Sequence, residues 1–202
     1  FTSLTLTRYL AELSGNKPVP GGGSVSAYVA SLGMGLAEMV AAIGLKKLSP
    51  ETKPGAQKAM RLLAKTRKEA FKVVDSDPKV YEALLKTYKH AKNVTDTAKK
   101  EQMTEDALEK SFRVQADLAQ LIVTAKKAAQ PLEGIIRGSI KNDLAISFKL
   151  LDTAFFGAYE TAHINVVYLK NPDRKARAEK ALAELKHQFE SLEEPVHAAG
   201  TG

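Results

Sequence analysis

The stretch from Val25 to Leu45 sets the strongest limit on the fold. It is built mainly of alanine, glycine, serine and aliphatic side chains, with one charged residue, Glu38, well inside it. A helix that is apolar all round must be buried, in a bilayer or at the centre of a protein. The stretch is long enough to cross a membrane. Its small residues and its internal glutamate favour the other setting, the spine of a helical bundle. Ala27, Ser31 and Gly35 recur at steps of four, and so do Gly33, Ala37 and Ala41. Two such narrow faces admit close neighbours on each side, one from the same chain and one from a second subunit. A homodimer is therefore expected, although a crowded monomer core would use the same faces.

Helical periodicity covers most of the remaining chain, with no alternating run of useful strand length. A first helix is expected from Thr5 to Ser14, with Leu6, Tyr9, Leu10 and Leu13 on one side and Gly15 as its stop. The spine should start near Ser24, as its cap, and end near Lys46 and Lys47, which suit the negative end of the dipole. "LSPETKPG" reads as a loop, and a third helix follows from Ala56. At Asp77-Pro78 two readings stand: a new helix capped by Asp77, or one helix kinked at the proline. "NVTDTAKKEQ" reads as a polar connection and Thr104 to Asp106 as a helix start. That helix should stop at Ala129, before Pro131, and a short one should reach Gly138. A long helix then runs to Asn171-Pro172. The last is expected from Asp173 to Glu194, ahead of a frayed tail, "HAAGTG". The fold class is all-α, an up-and-down bundle of long helices in a single domain over residues 1–202.

Composition removes several functions. A chain of 202 residues that is 44% hydrophobic and 26% charged can bury a core, which argues against disorder. Cysteine is absent, so disulfides and thiolate metal sites are excluded. His90, His163, His187 and His197 lie far apart without a zinc-site spacing, and no metal is expected. The net charge of +7 favours anionic ligands. However, the basic residues are interleaved with acids, as in "KARAEKALAELKHQFESLEE", and no nucleic-acid-binding motif is present; no nucleic-acid or membrane partner is expected. The first residues lack the charged start and apolar core of a signal peptide, so a cytoplasmic location is expected.

Three stretches carry candidate chemistry. "PGGGS" (Pro20 to Ser24) lacks the lysine of a P-loop and is not a dinucleotide fingerprint. Its glycines would still let a ligand approach the backbone, at the positive end of the following helix; a plain flexible turn is the simpler reading. Asp75 and Asp77 lie near an apparent helix boundary. Either is read first as a cap, and otherwise as a general acid or base with a pKa raised by burial. Tyr81 follows Asp77 one turn on, with Lys89 and Lys92 further along, and together these could line a pocket for an anion. In the third stretch Asp143 and Asn165 mark opposite ends of a largely apolar helix. Asn165 needs a polar partner there, and Asp143 suits the helix N-terminus.

Taken together, "VPGGGSVSA" at 19–27, "DSDPKVY" at 75–81 with "KHAK" at 89–92, and "NDLAISFKLLDTAFFGAY" at 142–159 with "IN" at 164–165 resemble one family. It is the formiminotetrahydrofolate cyclodeaminase and methenyltetrahydrofolate cyclohydrolase family. The resemblance implies a self-associating helical enzyme that binds a tetrahydrofolate derivative, with or without a polyglutamate tail, as substrate. It puts Asp77 at the family's catalytic carboxylate and Gly21, Gly22, Gly23 and Ser24 on its glycine loop. Tyr81, Lys92, Asp143 and Asn165 fall on pocket-lining positions, and Lys89 is a substrate-binding candidate from its place beside Lys92. The chain departs from the family's usual residues at Pro78, His90-Ala91, Ser139 and Thr161. The reaction implied is cyclodeamination of 5-formiminotetrahydrofolate to methenyltetrahydrofolate and ammonia. Hydrolysis of methenyltetrahydrofolate, or folate and partner binding without catalysis, are the alternatives.

Overall fold

The spine folds as helix α2, Gly22–Gly44, extended by one tight turn over Leu45–Lys47. In the computed structural model, which describes residues 1–192, α2 is followed by α3 (Lys53–Ala91), α4 (Thr97–Ile135) and α5 (Lys141–Tyr168). A short α1 (Leu6–Leu13) precedes it, and α6 (Pro172–Glu190) closes the described chain. There is no strand among the described residues. The expected helix end at Glu194, the tail 197–202 and His197 lie outside the described residues.

Helices α2 to α5 form an up-down-up-down bundle, with α2 flanked by α3 and α5 and α4 diagonal to it. Side-chain neighbours fix the directions. Gly23 of α2 meets Asp77 of α3, while further along α2 Glu38 meets Arg67, so α3 runs antiparallel. Gly22 lies near Thr161 of α5 and Gly33 near Leu151, so α5 is antiparallel too. Gly23 meets Gln115 and Gly44 meets Ile136, so the run through α4 parallels α2. Met34, Leu63, Leu118, Ile122 and Leu151 are fully enclosed between the four helices. Burying each such side chain contributes about 1.5–3 kcal/mol.

The small residues of α2 serve this packing. A Cβ on Gly33 would come within 3.1 Å of Leu150, and Ser147 donates a hydrogen bond of 2.7 Å to the Gly33 carbonyl. Gly157 of α5 is pressed against Ser26. Helix α2 is long and apolar enough to cross a membrane by length and composition; here α3 and α5 cover two of its sides.

Several expected boundaries move. Helix α1 is capped by Thr5, which accepts from Arg8 N–H, but Leu6 and Leu10 point to solvent and only Tyr9 is buried. Helix α4 starts at Thr97 under an Asp96 cap, well before Thr104. It also runs on through Pro131 to Ile135, so the expected break at Ala129 and separate short helix are absent. Pro78 neither starts a helix nor ends one: α3 is continuous through it, and Asp77 is not the cap of a new helix.

The continuity at Pro78 has a local cause. Proline has no N–H, so the carbonyl four residues back, on Val74, loses its helical donor. Ser24 of α2 supplies a replacement, its hydroxyl donating to the Val74 carbonyl at 2.9 Å. This serine is not the cap of its own helix, as the sequence suggested. Helix α2 begins two residues earlier, after Gly21, with no side-chain cap, and Ser24 is completely buried.

Candidate functional site

The first turn of α2 is aimed at the middle of α3, and Asp77 stands where they meet. The Asp77 carboxylate accepts a hydrogen bond of 2.6 Å at Oδ1 from the Gln115 side-chain amide of α4. The backbone N–H of Ser24 also favours its ionised form. Helix N-termini expose N–H groups without intrahelical acceptors, so a carboxylate is favoured there. Asp77 therefore stands at the N-terminal end of α2, across the bundle, rather than at the start of a helix of its own.

Burial dominates the electrostatics. It pushes the Asp77 carboxyl above its usual range, against the hydrogen bond from Gln115 and the Ser24 N–H, which pull it down. Tyr9 lies close by, its hydroxyl 3.2 Å from Ser24 Oγ, and burial pushes that phenol upward too. The result is a half-buried carboxyl whose protonated form is more accessible than that of a surface aspartate, which suits proton exchange.

The glycine loop shapes this corner. A Cβ on Gly23 would run into Gln115 Nε2 and Asp77 Oδ1, so the position has no room for a side chain. Gly22 is exposed, and a Cβ there would meet only Thr161 Oγ1 of α5 at 3.7 Å. Gly21 provides the extended residue ahead of the helix, after the buried Pro20 and its cis peptide bond. On α5, Thr161 donates to the Gly157 carbonyl, and Asn165 donates to the Thr161 carbonyl at 2.8 Å. The buried Asn165 thus has a backbone partner within its own helix.

The structure brings together only part of the set expected from sequence. Gly21 to Ser24, Asp77, and Asn165 one turn beyond Thr161 gather at one corner of the bundle. Tyr81 follows Asp77 by one turn and is partly exposed. Lys89 and Lys92 are exposed at the end of α3, about 18 and 22 Å along the helix from Asp77 at 1.5 Å per residue. Asp143 sits in the first turn of α5, roughly 33 Å along that helix from Asn165. Within one chain Lys89, Lys92 and Asp143 therefore do not line the Asp77 corner. Helix length is the reason: residues far apart on one straight helix cannot converge.

Gln115 was missed. It lies in "SFRVQADLAQLIV", an ordinary amphipathic run. The available signal was a polar residue at i+4 from Ser111 and three before Leu118, on the stripe that turns inward. Among the described residues no group of three histidine, aspartate or glutamate side chains converges as a metal site would need. A large groove lies elsewhere. It measures about 880 Å³ and runs along α2 past Leu32, Gly35 and Met39, bordered by Arg67 and Phe71 of α3. Its lining is mainly apolar, and its charged pair is Glu38 with Arg67 at 2.8 Å.

Comparison with known proteins agrees with this architecture. Residues 5–184 match the model of the formiminotransferase-cyclodeaminase family. The formimidoyltransferase-cyclodeaminase of Sus scrofa is 27% identical over 184 residues, covering 89% of this chain and 34% of the relative. That of Mus musculus is 29% identical over 167 residues, covering 80% and 30%. The chain thus spans about a third of the length of these curated relatives. The crystal structure of formiminotetrahydrofolate cyclodeaminase from Thermotoga maritima superposes with a TM-score of 0.84 at 21% identity, covering 94% of this chain and 92% of that one. At that identity the likeness shows the fold.

Proposed function

Because the chain belongs to the formiminotransferase-cyclodeaminase family, we propose that it closes the ring of 5-formiminotetrahydrofolate to methenyltetrahydrofolate with release of ammonia. The observation that carries this reading is Asp77: a half-buried carboxyl, raised by burial, held at the mouth of a glycine-lined helix N-terminus. In the reaction, N10 attacks the formimino carbon and loses its proton. The formimino nitrogen must gain a proton before its bond to carbon breaks. Asp77 takes the first proton and returns it to the leaving nitrogen, so one carboxyl serves both steps. Holding N10 beside its target removes part of the entropic barrier. The first N–H groups of α2 and the open face at Gly22 offer contact to polar groups of the substrate. The net positive charge suits an anionic glutamate tail.

The same carboxyl could activate water against methenyltetrahydrofolate, which is the alternative reaction. Absorbance of methenyltetrahydrofolate, followed in both formation and hydrolysis directions, tests the proposal. Formation from the formimino substrate supports it, hydrolysis alone moves the reading to the cyclohydrolase, and no turnover overturns both.

We further propose a homodimer formed over the α2 groove, where Leu32 is 52% exposed beside exposed Met39 and Ile43. An apolar face of this size on a chain this small is otherwise left in water. Light scattering should give twice the chain mass of 21.9 kDa. Gly35→Leu should shift it toward the monomer while leaving helicity intact, because a Cβ there meets only the flexible Arg67 side chain at 3.3 Å.

A further inference from the structure

Resting on the cyclodeaminase reading of the Asp77 corner, we propose that Gln115 is a positioning residue for the reaction: its amide pins Oδ1 of Asp77, leaves proton exchange to the other carboxyl oxygen, and sets the pH at which that exchange operates. Gln115 is 1% exposed, and Leu108, Phe112, Leu118 and Ala119 of the same helix are buried too. A core role alone gives no reason for an amide there. Its Oε1 has no hydrogen-bond partner among the described residues, so the side chain carries the desolvation cost of one end. Its other end makes the 2.6 Å bond to Asp77. Gly23 is emptied for this pair, since any Cβ at that position would strike both Gln115 Nε2 and Asp77 Oδ1.

The chemistry follows from that bond. A carboxyl that takes up a proton and then gives it away must keep its direction in both charge states. With Oδ1 held by an amide N–H, a proton on Oδ2 leaves the bond intact. The proton arrives from N10 and departs to the formimino nitrogen, while the amide moves none. A donor to the carboxylate also favours its ionised form. The other groups acting on Asp77 are few. From α1 the Tyr9 phenol faces it, from α2 the Ser24 N–H favours its ionised form, and on α5 the Thr161 hydroxyl is committed to the Gly157 carbonyl. Gln115 is the side-chain donor among them.

The test compares the parent protein with Gln115→Met, which keeps length and removes the donor. Turnover in the parent is required first; its absence overturns the cyclodeaminase reading and this inference with it. In an active parent, the rate should rise with pH as Asp77 ionises. In Gln115→Met that limb should move to higher pH, kcat should fall roughly tenfold or more, and KM should change little. An unmoved limb overturns the proposal whatever happens to kcat. A second measurement needs no variant to fold. The side-chain amide signals of Gln115 in the parent, followed by proton–nitrogen NMR, should titrate at the pH of the rate limb. Signals that stay flat across that limb overturn the proposal.

Discussion

Asp75 and Asp77 lie two residues apart on one helix, and their surroundings drive them in opposite directions. Asp75 faces Phe1 and Thr2. Burial is the largest single influence and raises it, but the hydrogen bonds from Phe1 N and from the hydroxyl and backbone N–H of Thr2 together outweigh this and hold its pKa at about 2. Asp77, turned about 200° around the helix, faces α2 and α4. There burial outweighs the donors from Gln115 and Ser24, and its pKa is raised. The identity of the residue is the same. What differs is how many donors reach the carboxylate and how much water is lost. One face of α3 holds a fixed anion that ties down a segment. The other holds an acid that can change state.

The sharpest way to break this contrast is Asp77→Asn. Asparagine accepts the same hydrogen bonds but exchanges no proton at neutral pH. Turnover should fall roughly 10²-fold or more, the usual scale for losing a general acid or base, while folate binding persists. Stability should move the other way. A raised carboxyl pKa means that the native chain keeps a proton at pH values where the unfolded chain, near 3.8, has released it. Asp77 therefore costs stability as pH rises through its folded pKa. The asparagine variant should melt at or above the parent temperature at neutral pH, and parental turnover would show that Asp77 only supports the N-terminal end of α2.

A smaller effect is expected from Gly23→Ala, which leaves both carboxyls in place and disturbs one of them. The new methyl must displace Asp77 or Gln115. Overpacking of this kind costs about 1–3 kcal/mol, and kcat should fall while the Asp75 contacts are untouched. Full activity in this variant would mean that the Asp77–Gln115 pair can rearrange freely. Ser24→Ala probes the connection between the two helices. It removes the hydroxyl that serves the Val74 carbonyl and strands that buried acceptor, at a cost of about 1–3 kcal/mol in a denaturant titration. An unchanged midpoint would show that Pro78 needs no substitute donor.

These residues also mark how far the sequence could be read. The order of the long helices follows from periodicity and from stops such as Asn171-Pro172, which the structure retains. At Pro78 the reading of one helix holds over that of a new one, and the break expected at Pro131 does not occur. A proline predicts a lost N–H, but the replacement comes from Ser24, more than fifty residues away, and no local rule contains it. The residues alone made the glycine loop and Asp77 legible as separate motifs, and only the resemblance implied that they meet. Gln115 entered no motif, because its role depends on which face of α4 turns toward α3. Lys89 and Lys92 were grouped with Asp77 because they share its segment, and Asp143 by the resemblance, whereas the rise along a helix separates them from the site in one chain. Thr161, noted only as a departure from the family's usual residue, proves to be the α5 side chain nearest Gly22.

The smallest change is expected at Asp75, and its sign completes the comparison. A carboxyl with a lowered folded pKa contributes stability above its unfolded value of 3.8 and loses it as pH falls toward about 2. Asp75→Asn removes that contribution. At neutral pH the loss should be about 1 kcal/mol or less, since the pair is partly exposed and screened by solvent. It should shrink as pH drops toward 2, where the parent carboxyl is itself protonated. Turnover should stay near the parent's, because this carboxylate is fully engaged by Phe1 and Thr2 and faces away from Gly23 and Gln115. Thermal melts of the parent and Asp75→Asn across the acidic range, set beside kcat at neutral pH, check both halves. A large loss of turnover with little change in melting would reverse the roles of the two aspartates, making Asp75 the proton carrier and Asp77 the fixed carboxylate.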